Sequence, residues 1–276
     1  MKNKLKIYIF ILFCFNLLTE SVNANEPFVF DITEIEILEN GNQINGYKGG
    51  SVTSEDGSTI TAQNFYYNKL TNILEASVNV KYLDKIKNTI ITADKAIYLK
   101  NEEKIFTIGN SKAVNNNNTI KASDLKYDKF KNIFEAKKNA VATDFEKDTT
   151  IYADEILYFK NEEKIFTKGK TKALIGNKYK FNSENVSYYR NLGDLISQKK
   201  SSIEDDSGNI YKLDNFTYNI DKELLKGKKI EVLAKVDKNK TDQYFFSEGF
   251  FNFKDKSHLA KETKIKTHKD VFGDEN

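Results

Sequence analysis

The segment TIITADKAIYLKNEEKIFTIGNSKAV, residues Thr89–Val114, returns sixty residues later as TTIYADEILYFKNEEKIFTKGKTKAL, residues Thr149–Leu174. Between the two copies, NTIKASDLKYDKFKNIFEAKKNAVAT (Asn118–Thr143) echoes STITAQNFYYNKLTNILEASVNVKYL (Ser58–Leu83), again sixty residues apart. Self-similarity at a fixed period is the signature of a repeat architecture. The chain is therefore a repeat protein, and its function has to be inferred from the repeat.

The repeating unit is about thirty residues long and contains three pairs of residues, each pair separated by one position. The first pair is an apolar residue followed by a small residue. The second pair ends in a tyrosine, and the third is again an apolar residue followed by a small one. Three successive units read Ile91/Ala93, Ala96/Tyr98, Ile105/Thr107; Ile120/Ala122, Leu125/Tyr127, Phe134/Ala136; and Ile151/Ala153, Ile156/Tyr158, Ile165/Thr167. Seven such units cover Phe30 to about Val236.

The residue types at these positions predict strands. Isoleucine, valine, threonine, tyrosine and phenylalanine dominate them, and these residues favour a pleated sheet. A spacing of two places both members of a pair on one face of a strand. Polar stretches such as Asn101–Lys104, Asn115–Asn118 and Asn161–Lys164 are typical of tight turns. About fourteen short antiparallel strands, and almost no helix, are expected.

One spacing predicts that the strands are bent. Ile91 and Tyr98 are seven residues apart, as are Ile120 and Tyr127. Seven is odd, so a straight strand would place the two residues on opposite faces. A bulge or corner is therefore predicted near Asp94 in each unit. Corners at one level of the array would fold it into two facing sheets, an all-β antiparallel, twisted jelly roll with a continuous apolar interior. That interior is either a core alone or a space for a ligand.

The N-terminal residues resemble a secretory signal peptide. Lys2, Lys4 and Lys6 precede the short apolar run Ile7–Leu18, and small residues lead to Ala24. We predict cleavage after Ala24, which divides the chain into a signal peptide (1–24), a β-domain (25–253) and a basic tail or a junction to a missing barrel (254–276). An apolar run of this length is shorter than a spanning helix needs. Cys14, the chain's one cysteine, lies inside the run, so no disulfide is expected after cleavage.

Composition argues against several function classes. The chain has 43 basic and 40 acidic residues, and cleavage would bring them closer to balance, unlike the basic excess of nucleic-acid binders. The two histidines, His258 and His268, lie beyond the repeats, and no phosphate-binding loop is present. Asp94, Asp124 and Asp154 recur singly, whereas calcium needs six to eight converging oxygens. We predict that they cap the corners by bonding backbone amides, and that the protein is not an enzyme and has neither a cofactor nor a metal site.

The cadence I-x-A-D-x-Φ-x-Y, six mixed residues, then Φ-x-A/G resembles the OstA-like repeat of lipopolysaccharide-transport proteins. The residues that carry the resemblance are Ile91, Ala93, Asp94 and Tyr98, with the same pattern at Ile151, Ala153, Asp154 and Tyr158 and a weaker one at Ile120, Ala122, Asp124 and Tyr127. The resemblance covers Phe30 to about Lys254. Within the family it leaves two possibilities open, a periplasmic bridge protein or the N-terminal domain of the outer-membrane assembly protein (the organic solvent tolerance protein).

The resemblance implies a periplasmic protein, associated with the outer membrane, that shields the acyl chains of lipopolysaccharide. The expected lipid groove consists of inward-facing residues of three units: Ile91, Tyr98, Ile105, Ile120, Tyr127, Phe134, Ile151, Tyr158 and Ile165. An array of this kind leaves an unpaired strand at each end. We expect the first strand to dock a homologous bridge protein by edge-strand addition through Phe30, Ile32, Ile35 and Ile37, and the outer-membrane assembly machinery to be a further partner.

Two other classes fit parts of the pattern. A small outer-membrane barrel also has alternating strands, but membrane strands run straight for roughly 9–11 residues, and each unit here contains a break in parity. A secreted structural or adhesive β-solenoid would have the same repeat with a solid core and no lipid. Lysines of the tail between Lys254 and Lys269 either contact lipid phosphates or form a solvated face.

Overall fold

The computed structural model describes residues 27–235 and 240–268, and in them the chain is an antiparallel β-structure, as the repeat predicts. The predicted signal peptide lies outside the described residues. The strands are β1 (Phe28–Leu38), β2 (Gln43–Ser54), β3 (Thr59–Ala62), β4 (Asn64–Asn68), β5 (Ile73–Asp84), β6 (Thr89–Leu99), β7 (Lys104–Asn115), β8 (Asn118–Asp128), β9 (Ile133–Asp144), β10 (Thr149–Phe159), β11 (Lys164–Ile175), β12 (Tyr179–Glu184), β13 (Ser187–Tyr189), β14 (Asp194–Ser197), β15 (Ser201–Glu204), β16 (Ile210–Leu213), β17 (Asn215–Asn219), β18 (Leu224–Lys235), β19 (Thr241–Asn252), β20 (Ser257–Lys261) and β21 (Lys264–Lys266). Short 3-10 turns occupy Glu39–Gly41, Lys100–Glu102 and Lys160–Glu162.

The strands are bent where the odd spacing predicts. Pairing between β5 and β6 shifts register between Ser77 and Val80, and pairing between β8 and β9 shifts between Lys121 and Asp124. Eleven of the 21 described strands continue through the corner and are 11 or 12 residues long, so they are longer than the short strands that the sequence predicts. We call the line of bulges the corner line.

The corner line divides one continuous sheet into two halves. The lower half-sheet has the strand order β1-β2-β3-β5-β6-β7-β8-β9-β10-β11-β12-β15-β16-β18-β19-β21. The upper half-sheet runs β1-β2-β4-β5-β6-β7-β8-β9-β10-β11-β13-β14-β17-β18-β19-β20. Several strands contribute to both halves, and the short strands β3/β4, β12/β13 and β16/β17 are separate because the chain breaks at the corner.

The corner is formed by residues with left-handed backbone conformation. Val78 and Asn79 in β5, and Lys138 and Asn139 in β9, have φ between 56° and 66°. Asparagine tolerates this region better than most residues, which accounts for its recurrence at this position. The sequence predicts the corner near Asp94. The residues with left-handed conformation lie instead on the neighbouring strands, where an asparagine, or a glycine followed by an asparagine, marks the position.

Each half-sheet buries one face against the other. Along β9, residues of the upper half alternate between buried and less buried positions, and the alternation resumes after the bulge. Aromatic pairs join the halves, since Tyr82 of the lower half lies 6.4 Å from Tyr127 of the upper half, measured between ring centroids. Phe28 and Tyr98 make a similar contact at 5.6 Å. The result is a stack of bent strands around one long apolar interior.

The sheet continues beyond the last clear repeat. β19 pairs with β18 over its whole length, and β20 and β21 both pair with β19. The part of the predicted tail up to Lys266 therefore contributes to the sheet. Residues 269–276, which the sequence assigns to the same tail, lie outside the described residues.

Candidate functional site

The nine residues predicted to contact lipid all face the interior between the half-sheets. Their side chains are 0–4% exposed and pack in one apolar cluster. Tyr127 stacks on Phe134 with ring centroids 4.3 Å apart, and Phe134 stacks on Tyr158 at 6.3 Å. The sequence therefore identifies the inward face. In this conformation, side chains fill the middle of the interior.

Opposite the corner line, the two half-sheets meet along a second line, which we call the seam. The upper turn row, with turns at 69–72, 129–132 and 190–193, faces the lower turn row, with turns at 55–58, 85–88 and 145–148. Within the described residues, side chains make the hydrogen bonds and ion pairs between the rows, and no strand ladder crosses the seam. One side of the jelly roll is thus held by backbone and the opposite side by side chains.

Lys129 is the centre of the first group of seam contacts. Its ammonium lies 2.7 Å from an Asp56 oxygen in the lower row and 2.9 Å from a Glu103 oxygen in the upper row. It also donates to the Tyr98 hydroxyl at 2.9 Å. The Lys129 side chain is only 3% exposed, and buried lysines require partners of this kind.

Arg190 is the centre of the second group and is the only arginine in the chain. Its Nε donates to Asp144 at 2.7 Å, and its Nη1 donates to Glu163. The Tyr188 hydroxyl donates to the same Asp144 carboxylate at 2.8 Å. A planar guanidinium can bind two carboxylates in fixed directions, which an ammonium cannot do. Neither group was predicted from the sequence, although the single arginine among many lysines is a local signal for the second one.

Further contacts lie between these two groups and on their C-terminal side. The Lys160 ammonium donates to the Lys87 carbonyl at 2.6 Å. Lys147 pairs with Asp221 at 2.6 Å, and the Tyr179 hydroxyl donates to Glu223 at 2.7 Å. Side-chain contacts therefore recur along the array.

Two seam carboxylates, Asp56 and Asp144, are held in the ionised form. Burial opposes the charge on Asp56, but hydrogen bonds from Lys129 and Ser58 outweigh it and hold the pKa of this carboxyl below its ordinary value. The same balance lowers the pKa of Asp144, where Arg190 and Tyr188 are the donors. Burial also disfavours the Lys129 charge, yet the surrounding tyrosine and carboxylates raise its pKa. Near neutral pH, Lys129, Asp56 and Asp144 are therefore all charged.

The interior opens at its C-terminal end, which we call the mouth. Two adjoining cavities of ≈ 520 and ≈ 230 Å³ lie there and share Tyr211, Phe251 and His258 in their walls. Cavities of this combined size fall in the range that holds small organic ligands. Lys178 and Lys254 stand beside the aromatic wall, together with Asp205, Asp206 and Glu223. The mouth thus has an apolar wall and a charged rim.

The opposite end of the array is strand β1, which contains the predicted docking residues. Among the described strands, β1 pairs with β2 alone, so its outer edge is open. Ile35 and Ile37 are 44% and 63% exposed, whereas Phe30 and Ile32 pack partly against the core. The four residues share the edge strand but not the same exposure.

The corner aspartates differ from the prediction in their partners. Asp94 accepts a hydrogen bond from the Asn110 side chain at 2.9 Å, and Asp124 pairs with the Lys138 ammonium at 2.6 Å. The expected backbone amides are not their hydrogen-bond donors, because the left-handed residues of the next strand bring side chains to these carboxylates instead.

In residues 27–235 and 240–268, no group of three or more histidine, cysteine, aspartate or glutamate side chains could hold a metal ion.

The fold and its interior define an antiparallel β-jelly roll of the stacked-repeat type. One similar solved structure is that of LptH from Pseudomonas aeruginosa, described as the LptA homologous periplasmic component of the conserved lipopolysaccharide transport device. The two chains are 15% identical with a TM-score of 0.38, and the match covers 41% of this chain and 83% of that one. Neither a family model nor a curated protein matches the chain. No helix within the described ranges is long and apolar enough to span a membrane.

Proposed function

We propose that the protein is a periplasmic component of lipopolysaccharide transport and assembly that shields lipid A acyl chains between its half-sheets on the way to the outer membrane. The observation that supports this most is the long apolar interior, which is closed along one side by side chains alone. Parting the seam breaks ion pairs and side-chain hydrogen bonds but leaves the strand ladder intact. The interior can then admit a long chain from the side.

The energetics favour such a carrier. Transfer of one methylene group out of water is worth about 0.8 kcal/mol, so a fourteen-carbon chain gains on the order of 11 kcal/mol. Exposed seam pairs contribute little, and even the buried ones are few. A multi-chain lipid therefore supplies enough free energy to offset seam opening. The nine inward residues, now in contact with one another, would contact the acyl chains in the open form.

The two ends of the array suggest how the protein connects to its partners. The open edge of β1 suits strand addition by a homologous bridge protein, because the unpaired backbone groups are already aligned. The mouth, with its aromatic wall, suits passage of lipid towards the assembly machinery of the outer membrane. Both an LptA-like bridge protein and the N-terminal domain of an LptD-like assembly protein fit this arrangement.

Photo-crosslinking tests lipid carriage. A photoreactive phenylalanine analogue replaces Phe134, which faces the interior, or Phe106, which lies one residue from buried Ile105 on the opposite face of its strand. We expect lipopolysaccharide adducts from position 134 and few from position 106. Equal yields from the two positions, or none from position 134, Tyr127 or Tyr158, would contradict the proposal.

Deletion tests the docking edge. Removing Phe30–Gly46 eliminates the open edge of β1 and the strand segment paired with it. We expect this deletion to abolish co-purification with the upstream bridge component. A second variant keeps the intact chain and replaces four residues by lysine: Phe30, Ile32, Ile35 and Ile37. We expect it to give a smaller loss. Unchanged co-purification in both variants would refute docking at this edge.

A solid-core structural or adhesive solenoid is the alternative, and the packed middle of the interior favours it. All nine residues are almost fully buried against protein atoms. Delipidated, refolded protein separates the two functions. Stoichiometric lipopolysaccharide binding supports the carrier, and absence of binding together with surface adhesion supports the solenoid.

A further inference from the structure

Five large apolar side chains project from the turns of the two rows. They are 62–84% exposed, although side chains of this kind are normally removed from solvent: Leu70, Ile86, Phe130, Phe145 and Leu192. Each lies inside a turn and not in a strand. None of the nine interior positions depends on them. They need an explanation separate from the core.

These five side chains, which we call the tips, lie on one face of the molecule. Leu70, Phe130 and Leu192 belong to the upper turn row, and Ile86 and Phe145 to the lower row. The rows meet across the seam, since the Lys87 ammonium next to Ile86 donates to the carbonyl of Lys129 next to Phe130. In the same way, Arg190 near Leu192 binds Asp144 next to Phe145. The seam therefore carries a double row of apolar points.

The spacing of these tips favours a fluid partner. Within one row, successive tips are four strands apart, which corresponds to about 19 Å at the usual strand separation. Single tips, or pairs of tips that face each other across the seam, cannot at this spacing form the continuous buried patch that a protein–protein interface requires. The interfacial layer of a bilayer can accept each tip separately, because lipids rearrange around it.

Local charge selects the type of lipid. Lys85 flanks Ile86 and Lys131 flanks Phe130, and both lysines are exposed. Within the described residues, neither ammonium is in an ion pair, whereas Lys129 and Arg190 are engaged in the seam. Towards the C-terminal end, Asp205 and Asp206 make the face more acidic. The positive, apolar part of the face is therefore around Ile86 and Phe130.

We propose that the seam face docks on an anionic lipid bilayer, with Ile86 and Phe130 inserted into the interfacial layer and Lys85 and Lys131 at the lipid phosphates. Insertion removes apolar surface from water, and each lysine near an anionic surface adds attraction that salt weakens. This docking does not depend on the entry of acyl chains into the interior. It assigns a role to residues that the carrier function leaves unexplained.

Vesicle flotation tests the proposal, using protein purified after export. The vesicles are phosphatidylcholine alone or phosphatidylcholine mixed with phosphatidylglycerol. The double variant Ile86→Ser/Phe130→Ser is compared with Val78→Ser/Ile108→Ser, a matched pair on the corner line whose two side chains are each 50% exposed. We expect wild type and the corner variant to float with the anionic vesicles, and the tip variant to bind about tenfold more weakly.

A second arm separates charge from insertion. Lys85→Gln/Lys131→Gln is expected to weaken binding to anionic vesicles and to reduce its salt dependence, without changing the weak binding to neutral vesicles. All the tip residues are exposed, so urea unfolding midpoints should match the wild type. Absence of wild-type binding to anionic vesicles, or equal losses in the tip and corner variants, would overturn the proposal. Photo-crosslinking of lipopolysaccharide at Phe134 is read out separately and would stand in either case.

Discussion

The corner line and the seam lie on opposite sides of the same jelly roll and are held by different forces. At the corner, strands such as β5 and β9 continue from one half-sheet to the other, so the covalent chain joins the halves. At the seam, Lys129, Arg190 and their carboxylate partners join them. A covalent corner cannot part without unfolding, whereas a seam of side chains can. We therefore propose that the corner line is the hinge side of the molecule and the seam its opening side.

Replacement of Lys129 should give the largest difference between the two sides. Lys129→Met leaves Asp56 and Glu103 without their shared cation, and breaking such a buried pair costs about 3 kcal/mol, at the lower end of the usual range because Asp56 is 42% exposed. Lys138→Met removes the corner pair with Asp124, whose lysine is 70% exposed, and should cost less than about 0.5 kcal/mol. Urea unfolding measures both. Equal effects would mean that the seam contacts are no more important than surface pairs.

Arg190→Lys tests the geometry of the second seam group. Lysine keeps the charge but cannot bind Asp144 and Glu163 through two fixed directions. We expect a loss of about 2 kcal/mol in the free energy of unfolding, since charge-assisted hydrogen bonds of this kind are worth about 1.5–3 kcal/mol each. The matched control, Lys170→Arg on an exposed strand position, should leave stability unchanged. A fully stable Arg190→Lys variant would show that charge alone closes this part of the seam.

Asn139→Val tests the corner line, again through the free energy of unfolding. Residue 139 has φ near 57°, a conformation that costs an ordinary residue about 1–2 kcal/mol and a β-branched residue at least as much. We expect destabilisation of about 1–2 kcal/mol with lipopolysaccharide binding retained, because the seam is untouched. Thr143→Val, in the same strand but extended, serves as control. Loss of lipid binding in a folded Asn139→Val protein would contradict the division between hinge and opening side.

Acid should weaken the seam selectively. The pKa values of Asp56 and Asp144 are lowered in the folded protein, so their stabilising effect is complete above the unfolded-state pKa of about 4 and disappears as pH falls through the lower folded values. We expect Asp144→Asn to flatten the decline in stability as the pH falls below about 5, because this carboxylate no longer takes up a proton on unfolding. The measurement is urea unfolding across this range. An unchanged pH profile in the variant would argue that other carboxylates cause the decline.

The sequence predicts the repeat, the strand class, the corner and the inward face, because each depends on local spacing. Ile91 and Tyr98 are an odd number of residues apart, yet both face the interior because a bulge lies between them. The seam was not predictable in the same way. Lys129 and Asp56 are 73 residues apart and meet only because stacked, twisted strands bring two turn rows together. The lone Arg190 was the one local sign that a special contact exists there.

The exposed tips show a second limit of the pattern. Ile86 and Phe130 each have a lysine on either side, a local apolar–polar pattern that elsewhere indicates burial, but both lie inside turns and are exposed to solvent. Binary patterning describes strands well because their side chains alternate between faces. It says little about a turn, where the direction of each side chain depends on the turn geometry.

The most direct test of the account is lipid binding by a protein whose seam is locked. Cysteines replace two pairs of exposed residues next to the seam groups: Glu55 with Lys131, and Glu146 with Asn191. A reducible bifunctional thiol reagent then joins the two cysteines of each pair. The control joins cysteines at Asn110 and Lys138 on the corner line. We predict that the locked seam abolishes lipopolysaccharide binding, that reduction restores it, and that the corner link has no effect. Equal binding by the locked and reduced seam would contradict entry of acyl chains through this side of the molecule.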